Sequence, residues 1–130
     1  MRLSGILNPE LAWFLACLGD DDMVIISNAR LSIPEETTRI DLAIVPDLPR
    51  LLDVLKVILR EINVKKAFIP LELKKESQDF YQELKIALAN TPVEEIPYSR
   101  FKELVKESRG IIRTGEMMAR ANVALICGSA

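Results

Sequence analysis

Apolar side chains recur along this chain either at helical spacing or in short unbroken runs, and the two patterns alternate. After Asn8-Pro9, which suits a helix N-cap and first turn, apolar residues at i, i+3, i+4 and i+7 predict a helix over residues 9–18 that Gly19 ends. From Asp47 to Ile62, one face stays apolar for about four turns and predicts a second helix. Two later helices are predicted over residues 80–88 and from a cap at Ser99 through Val105.

The unbroken apolar runs have the length of strands. They cover residues 23–26, 42–45, 67–69, 93–96, 110–112 and 123–127. Residues 28–38 hold Pro34 and few periodic apolar positions, which predicts a loop. The alternation favours an α/β fold, a mostly parallel sheet with helices on both faces, because each crossover returns the chain through a helix. Ligands of such sheets bind beyond the carboxyl ends of the strands, so we expect a site near the loops after Ile26 and Ile69 and around Thr114.

Length and charge narrow the function classes. The 130 residues, without a linker or repeat, predict a single domain over residues 1–130. The formal charge is −2 with the two signs interspersed, which argues against a nucleic-acid partner. No apolar run approaches the roughly 20 residues that span a bilayer, and the Asn8-Pro9 break leaves no signal-peptide core. We therefore expect a cytoplasmic protein without a membrane partner.

Most standard catalytic and metal motifs are absent from the sequence. There is no histidine, no paired CxxC, no glycine-rich phosphate loop and no G-x-S-x-G elbow. Cys17 and Cys127 lie within apolar stretches, where buried, unreactive thiols are expected. The run Asp20-Asp21-Asp22 is expected to be a solvated turn rather than a cation site, because consecutive side chains point in different directions.

A few polar positions are candidates on pattern alone. Arg39 and Asp41 lie two apart in an extended segment, so they share a face and form either a structural ion pair or a contact for a polar ligand. Gly115 permits a tight turn, and Arg120 and Asn122 follow it directly before the last strand, as a polar pocket wall requires. The spacing leaves open whether these residues contact a ligand or only stabilise turns.

Several segments are similar, in order and spacing, to the D-ribose pyranase and L-fucose mutarotase family. They are residues 18–22 (LGDDD), 27–34 (SNARLSIP), 37–41 (TTRID), 72–74 (ELK), 101–102 (FK), 112–116 (IRTGE) and 121–123 (ANV). Because the similarity is collinear over nearly the whole chain, the protein resembles a divergent family member, one that has no histidine.

This resemblance implies a three-layer α/β/α fold and a homo-oligomer, commonly a decameric ring, whose pockets are completed by a neighbouring subunit. It implies an isomerase that interconverts the cyclic forms of a free, ribose-like monosaccharide, pyranose with furanose or one anomer with the other. It also implies neither metal nor organic cofactor, since proton transfer alone opens and recloses the sugar ring.

At the position of the family's acid/base histidine, this chain has Asp20. An imidazole, with a reference pKa of about 6.5, gives and takes protons at neutral pH, whereas a carboxyl group, with a reference pKa of about 3.9, is mainly a base. The resemblance makes Asp20 the expected catalytic residue, which accepts the anomeric proton while Tyr98 or Lys102 donates to the ring oxygen. Two outcomes stay open: an active or impaired isomerase, and a non-catalytic paralogue that binds a sugar or sugar phosphate.

The resemblance also implies five substrate-binding residues and no metal ligand. Asn28 stands where the family has a sugar-binding aspartate, Tyr98 where it has a second histidine and Arg120 where it has a tyrosine. Lys102 and Asn122 match the family. An amide in place of an acid and an added cation shift the pocket toward positive charge, which suits a sugar phosphate or sugar acid. Alternatively, Arg120 pairs with the acidic residues 20–22 and closes the pocket.

Overall fold

The structure, a computed structural model, describes residues 1–128, and within them one mixed sheet forms the centre of the molecule. The helices are α1 (Pro9–Ala16), α2 (Leu51–Leu59), α3 (Leu73–Glu76), α4 (Gln78–Ala87) and α5 (Tyr98–Glu107). The strands are β1 (Met23–Ser27), β2 (Arg39–Asp41), β3 (Val64–Pro70), β4 (Val93–Ile96), β5 (Gly110–Arg113) and β6 (Val123–Cys127). The strand order is β2-β5-β1-β6-β3-β4. Because β6 pairs antiparallel with both β1 and β3, and the other pairs are parallel, β6 runs against the other five strands.

Helices cover both faces of this sheet. α1, α2, α3 and α4 bury apolar side chains against one face, and α5 packs on the other. Successive residues of β1 alternate between the two cores: Val24 and Ile26 belong to the first, and Ile25 lies under α5. The predicted three-layer α/β/α fold with a mostly parallel sheet is therefore confirmed. None of the helices in the described residues has the length and apolar composition needed to cross a membrane.

The predicted start of α1 is confirmed, whereas its end is not. The Asn8 side chain accepts a hydrogen bond from the Leu11 backbone amide at 2.9 Å, as an N-cap does. The helix ends at Ala16, and Cys17 at its C-cap is exposed. The prediction that both cysteines are buried is wrong for Cys17, which lies on the solvent side of the helix end, and confirmed for Cys127.

α2 begins later than the apolar pattern predicts, at Leu51 rather than at Asp47. The preceding residues form a turn that bonds to the segment after β5: the Asp47 amide donates to the Gly115 carbonyl at 2.6 Å, and the Gly115 amide donates to the Pro49 carbonyl at 2.9 Å. These backbone groups are committed to another part of the chain and cannot form a first helical turn. Leu48 is accordingly exposed and does not extend the apolar face of the helix.

The second strand lies earlier in the chain than predicted. The apolar run at 42–45 predicts a strand, but β2 consists of Arg39–Asp41, which pair with residues 111–113 of β5. The ladder stops where β5 stops, so the run continues beyond the sheet and leaves Ile44 with 73% of its surface exposed. The prediction of a strand at 42–45 is therefore wrong, and the one-turn helix α3 has no predicted counterpart.

Candidate functional site

Five of the six predicted site residues come together at one edge of the sheet. β1, β3 and β5 end at this edge, and antiparallel β6 begins there. Contacts join the five residues into one cluster, which we call the carboxyl-edge site: it consists of Asn28, Tyr98, Lys102, Arg120 and Asn122. The sequence-based expectation of a site beyond the strand ends thus coincides with this cluster.

Asn28, directly after β1, uses its side chain to hold the backbone around the site. Its Oδ1 accepts hydrogen bonds from the amides of Arg30 at 3.1 Å and Leu31 at 2.9 Å, and its Nδ2 donates to the Met118 carbonyl at 2.8 Å. Its backbone amide donates to Asn122 Oδ1 at 2.8 Å. Because Asn28 is only 2% exposed and is bonded on both sides of its amide, its visible role is to fix the loop after β1 against the segment before β6.

Two nitrogens in the site are buried donors without an acceptor among the described residues: Arg120 Nε and Asn122 Nδ2. Asn122 is fully buried, and its Oδ1 is already occupied by the Asn28 amide. Arg120 has a positive φ of 61°, and its guanidinium forms an ion pair with Glu76 of α3 through another nitrogen. Buried donors are nearly always paired in folded proteins, so these two nitrogens, on residues two positions apart in the chain, require an acceptor from outside the described residues.

Two cations lie close to the ring of Tyr98. Lys102 Nζ is 5.4 Å from the ring centroid, and Arg120 Cζ is 5.6 Å from it. Both distances lie within the range of cation–π attraction. On the same helix, Phe101 is buried and stacks near Tyr98, with 6.4 Å between ring centroids. The half-buried ring is therefore held in place from several sides.

A cavity of about 370 Å³ opens beside Tyr98 and Lys102, between α5 and the loop of residues 30–34. This volume is within the range of roughly 300–1,000 Å³ that small-molecule sites occupy. A larger groove of about 580 Å³, between α2 and α4, is lined by none of the predicted site residues. Of the predicted site residues, Tyr98 and Lys102 line the cavity at α5, and Arg120 lies against the Tyr98 ring.

Asp20, the predicted catalytic residue, lies at the opposite edge of the sheet. The amide of its neighbour Asp21 donates to the carbonyl of Cys127, at the far end of β6 from Asn122. β6 has five residues, and a strand of that length spans roughly 17 Å at about 3.4 Å per residue. One sugar therefore cannot contact both Asp20 and Asn122 of the same chain.

The acidic turn that contains Asp20 is occupied by local contacts. Asp22 accepts a hydrogen bond from the Gly19 amide at 2.8 Å and pairs with Arg109 at 3.0 Å, and Asp21 pairs with Lys65. Within residues 1–128, no group of three or more cysteine, aspartate or glutamate side chains is placed to hold a metal ion. Within one chain, Arg120 does not pair with this turn, because its guanidinium pairs with Glu76.

The other candidate pair, Arg39 and Asp41, has a structural role. The two side chains lie 3.8 Å apart, and Asp41 also accepts hydrogen bonds from Arg113 at 3.1 Å. Arg113 in turn donates to the Ala29 carbonyl. This network ties β2 to the end of β5, so of the two alternatives for this pair the contacts support the structural ion pair.

Comparisons with known proteins decide the family. The model of the RbsD / FucU transport protein family matches residues 1–130. The D-ribose pyranase of Chloroflexus aggregans is 41% identical over 128 residues, which cover 98% of each chain. The D-ribose pyranase of Geobacillus thermodenitrificans is 38% identical over 128 residues, 98% of this chain and 97% of the relative. The chain belongs to the RbsD / FucU family.

Solved structures of the RbsD / FucU family have the same fold. Bacillus subtilis RbsD complexed with D-ribose superposes with a TM-score of 0.94 at 35% identity, over 100% of this chain and 99% of that chain. The fucose mutarotase in complex with L-fucose from Streptococcus pneumoniae has a TM-score of 0.78 at 16% identity, over 95% and 94% of the two chains, and shows the fold alone. The family predicted from short motifs is therefore confirmed.

Sequence reasoning missed two glutamates that position this RbsD / FucU family site. Both carboxylate oxygens of Glu72 accept a hydrogen bond from the Tyr98 backbone amide, at 3.0 and 3.1 Å. Glu76 forms an ion pair with Arg120. Both glutamates belong to the α3 segment, which has no predicted counterpart. The signal was the ELK motif at 72–74, directly after β3: its place at a strand end could have marked Glu72 as a residue that faces the site.

Proposed function

We propose that the protein is a cofactor-free monosaccharide isomerase of the pyranase or mutarotase type, which interconverts cyclic forms of a free, ribose-like aldose. The observation that carries this proposal is the pair of buried, unpartnered donors, Arg120 Nε and Asn122 Nδ2. The full-length similarity to proteins named D-ribose pyranase supports the same function and a single domain over residues 1–130.

The unpartnered donors suit a sugar for an energetic reason. A buried donor without an acceptor costs roughly 1–3 kcal/mol, so a ligand that supplies two acceptors recovers that cost on binding. Neighbouring hydroxyls of a monosaccharide are two such acceptors, held at a fixed spacing by the ring. Tyr98 adds an apolar ring face beside them, and Lys102 adds a charged donor. Arg120, Asn122, Tyr98 and Lys102 are four of the five substrate-binding residues expected from the sequence.

The distance between Asp20 and this cluster supports a site shared between two copies. We propose a homo-oligomer, a decameric ring as in the family resemblance, in which Asp20 of one copy faces the carboxyl-edge site of the next. Asp20 is exposed in the single chain, and its carboxylate accepts no hydrogen bond from the described residues. It is therefore available to a neighbour. Sedimentation as a monomer at micromolar concentration would contradict this assembly.

The reaction that this arrangement supports is proton transfer without other chemistry. The Asp20 carboxylate accepts the proton of the anomeric hydroxyl, the bond from the anomeric carbon to the ring oxygen breaks, and the anomeric oxygen becomes a carbonyl. The ring oxygen takes a proton from the Lys102 ammonium or the Tyr98 hydroxyl. Attack of a different hydroxyl on the carbonyl, or of the same one on its other face, recloses the ring and returns both protons.

Saturation-transfer NMR on D-ribose tests the proposal. We expect the protein to accelerate exchange between pyranose and furanose signals, and Asp20→Asn to reduce that acceleration by roughly 10²- to 10⁴-fold, the usual contribution of general acid–base catalysis. Asp21→Asn is the matched control, because Asp21 is the adjacent exposed carboxylate and pairs with Lys65. Exchange no faster than in buffer for ribose, fucose and other common pentoses and hexoses would refute the isomerase.

The alternative is a sugar-binding protein without catalysis. One observation favours it: the carboxylates of Glu72 and Glu76, which contact the carboxyl-edge site in the described part of the chain, are already engaged by the Tyr98 amide and by Arg120 and are not free to act as a base. Calorimetric binding of a monosaccharide together with unaccelerated exchange would select this alternative. For either function we propose the cytoplasm, where the free cysteines Cys17 and Cys127 would stay reduced.

A further inference from the structure

The cavity beside Tyr98 is lined by three basic side chains and by no acidic one: Arg30, Lys102 and Lys106. Most arginines and lysines around the rest of the sheet are in ion pairs with a carboxylate. Among residues 1–128, none of the three cavity cations is in an ion pair. Since the whole chain has a net charge of −2, this concentration of unneutralised positive charge is local.

Acidic groups around the cavity are engaged in other contacts. Glu72 accepts hydrogen bonds from the Tyr98 amide at the start of α5, Glu103 on α5 pairs with Arg100 at 3.0 Å, and Glu76 pairs with Arg120. None of these three carboxylates lines the cavity or pairs with one of its three cations. Like charges repel one another, so three unpaired cations around one small cavity destabilise the empty site and favour an anion in it.

We propose that the preferred substrate is an anionic monosaccharide, whose carboxylate or phosphate group is bound by Arg30, Lys102 and Lys106 while the sugar hydroxyls face Arg120 and Asn122. The inference rests on the proposed isomerase function and replaces its neutral, ribose-like substrate with a negatively charged sugar. Lys102, whose ammonium also lies against the Tyr98 ring, connects the two parts of the site. Because Lys102 binds the anionic group in this arrangement, the Tyr98 hydroxyl is the group that donates a proton to the ring oxygen, and the other steps of ring opening are as described above.

Ring chemistry restricts where the anionic group can be. Pyranose closure of an aldose uses the hydroxyl on C5, and furanose closure uses the hydroxyl on C4. A phosphate on C5 of ribose would therefore block the pyranose form, whereas a carboxylate or phosphate at C6 of a hexose leaves both ring forms available. A hexuronic acid or a hexose 6-phosphate satisfies both the charge of the cavity and the proposed reaction.

The test compares sugars that differ only in the group at C6. Calorimetry and exchange NMR would be run with D-galactose, D-galacturonate, D-galactose 6-phosphate and inorganic phosphate. We expect one or both anionic sugars to bind about tenfold or more tightly than galactose at low salt, with the advantage shrinking as salt screens it. Carboxylate and phosphate are distinguished by which of the two anionic sugars binds more tightly.

Variants assign the effect to the cavity. Arg30→Gln combined with Lys106→Gln should remove most of the advantage of the anionic sugars and leave binding and exchange of ribose unchanged. Lys74→Gln, a change at an exposed lysine outside the cavity, is the matched control. Equal binding of galactose and both anionic sugars, or inorganic phosphate binding as tightly as galactose 6-phosphate, would overturn the inference.

The same measurements separate this inference from the proposed function. Tight binding of an anionic sugar without accelerated ring exchange would leave the anion preference standing and refute the isomerase. Accelerated exchange of ribose and galactose, without any preference for the anionic sugars, would support the isomerase and refute the anion preference.

Discussion

At the scale of single residues, the site depends on which polar atoms are already bonded. The Asn122 side-chain oxygen accepts a hydrogen bond from the Asn28 amide, and the Arg120 guanidinium pairs with Glu76. One buried nitrogen of each residue, Asn122 Nδ2 and Arg120 Nε, remains for a ligand. The order of residues along the chain predicted Arg120 and Asn122 as a pocket wall. It could not predict their unpaired nitrogens, because those depend on partners roughly 45 and 95 residues away that only the fold brings near.

The two cysteines should differ sharply in reactivity. Burial, and secondarily the charges of Asp22 and Asp20, raise the pKa of the Cys127 thiol above its ordinary value, which lowers its thiolate fraction at neutral pH. Cys17 is exposed. We expect iodoacetamide at pH 7.5 to modify Cys17 in the native protein and Cys127 only after unfolding in urea, as read by intact-protein mass spectrometry. Modification of native Cys17→Ser at the rate of the unfolded protein would show that Cys127 is accessible.

At the scale of elements, α5 is capped from outside its own sequence. Ser99 was the predicted cap, but the helix begins at Tyr98 and no side-chain hydrogen bond from its N-cap residue, Pro97, closes it. Glu72, beyond the end of β3, accepts the Tyr98 amide instead. A local pattern cannot reveal such a cap, because it comes from a residue 26 positions earlier in the chain.

Glu72→Ala should therefore lower the free energy of unfolding by about 1 kcal/mol, the usual cost of losing a helix cap. It should also weaken sugar binding, because Tyr98 is the residue whose amide is released. Ser99→Ala, one position further along the same helix, should change stability by less than about 0.5 kcal/mol. Urea denaturation measures both. A larger loss for Ser99→Ala than for Glu72→Ala would show that the cap is local after all.

Gly115 is required by a close approach between elements rather than by its own backbone angles. It was predicted to permit a tight turn, but it does not have a left-handed φ. A Cβ atom at this position would lie 2.5 Å from the Leu48 carbonyl oxygen and 2.7 Å from the Leu48 nitrogen. The neighbour is backbone and cannot rotate away. The turn before α2 and the segment after β5 can pack this closely only because position 115 lacks a side chain.

Gly115→Ala should consequently destabilise the protein by about 2 kcal/mol or more, as overpacking does. Gly19→Ala is the matched control: apart from the adjacent residues, its Cβ would meet an Asp22 carboxylate oxygen first, at an ordinary contact distance of 3.8 Å. We expect this control to change stability by less than about 0.5 kcal/mol. Equal midpoints in urea for the two variants would show that the turn adjusts without cost.

The elements themselves were predicted unevenly, and the reason is physical. A helix with one apolar face packs that face on the sheet, and a continuous apolar run such as β1 or β6 is a strand buried on both faces. In both cases the hydrophobic pattern follows directly from how the element is buried. The run at 42–45 has the same composition as a buried strand but lies past the end of β5, where no partner continues the ladder. Composition cannot specify the length of a neighbouring strand, so the position of β2 was beyond prediction.

At the scale of the whole molecule, Asp20 lies at the opposite end of β6 from the carboxyl-edge site. The sequence prediction combined Asp20 with the five residues of the carboxyl-edge site in one pocket. Similarity along a chain carries no information about which copy of the protein supplies each residue. The geometry separates them by the length of β6. The proposed reaction therefore requires an oligomer, in which Asp20 of one copy reaches the carboxyl-edge site of another.

Mixing two inactive variants tests this directly. Asp20→Asn lacks the base, and Asn122→Ala lacks a binding contact, so each homo-oligomer should accelerate ribose exchange at least about tenfold less than the wild type. In a mixed oligomer, some sites lie between one copy of each variant. Where the Asn122→Ala copy supplies Asp20 and the Asp20→Asn copy supplies Asn122, both wild-type residues are present and the site is complete. Co-refolding equal amounts should therefore restore up to about a quarter of wild-type activity, since random pairing makes one interface in four complete. Co-refolding Asp20→Asn with Asp20→Ala should restore none. No recovery in mixed oligomers, verified by mass spectrometry, would place the complete site within one chain.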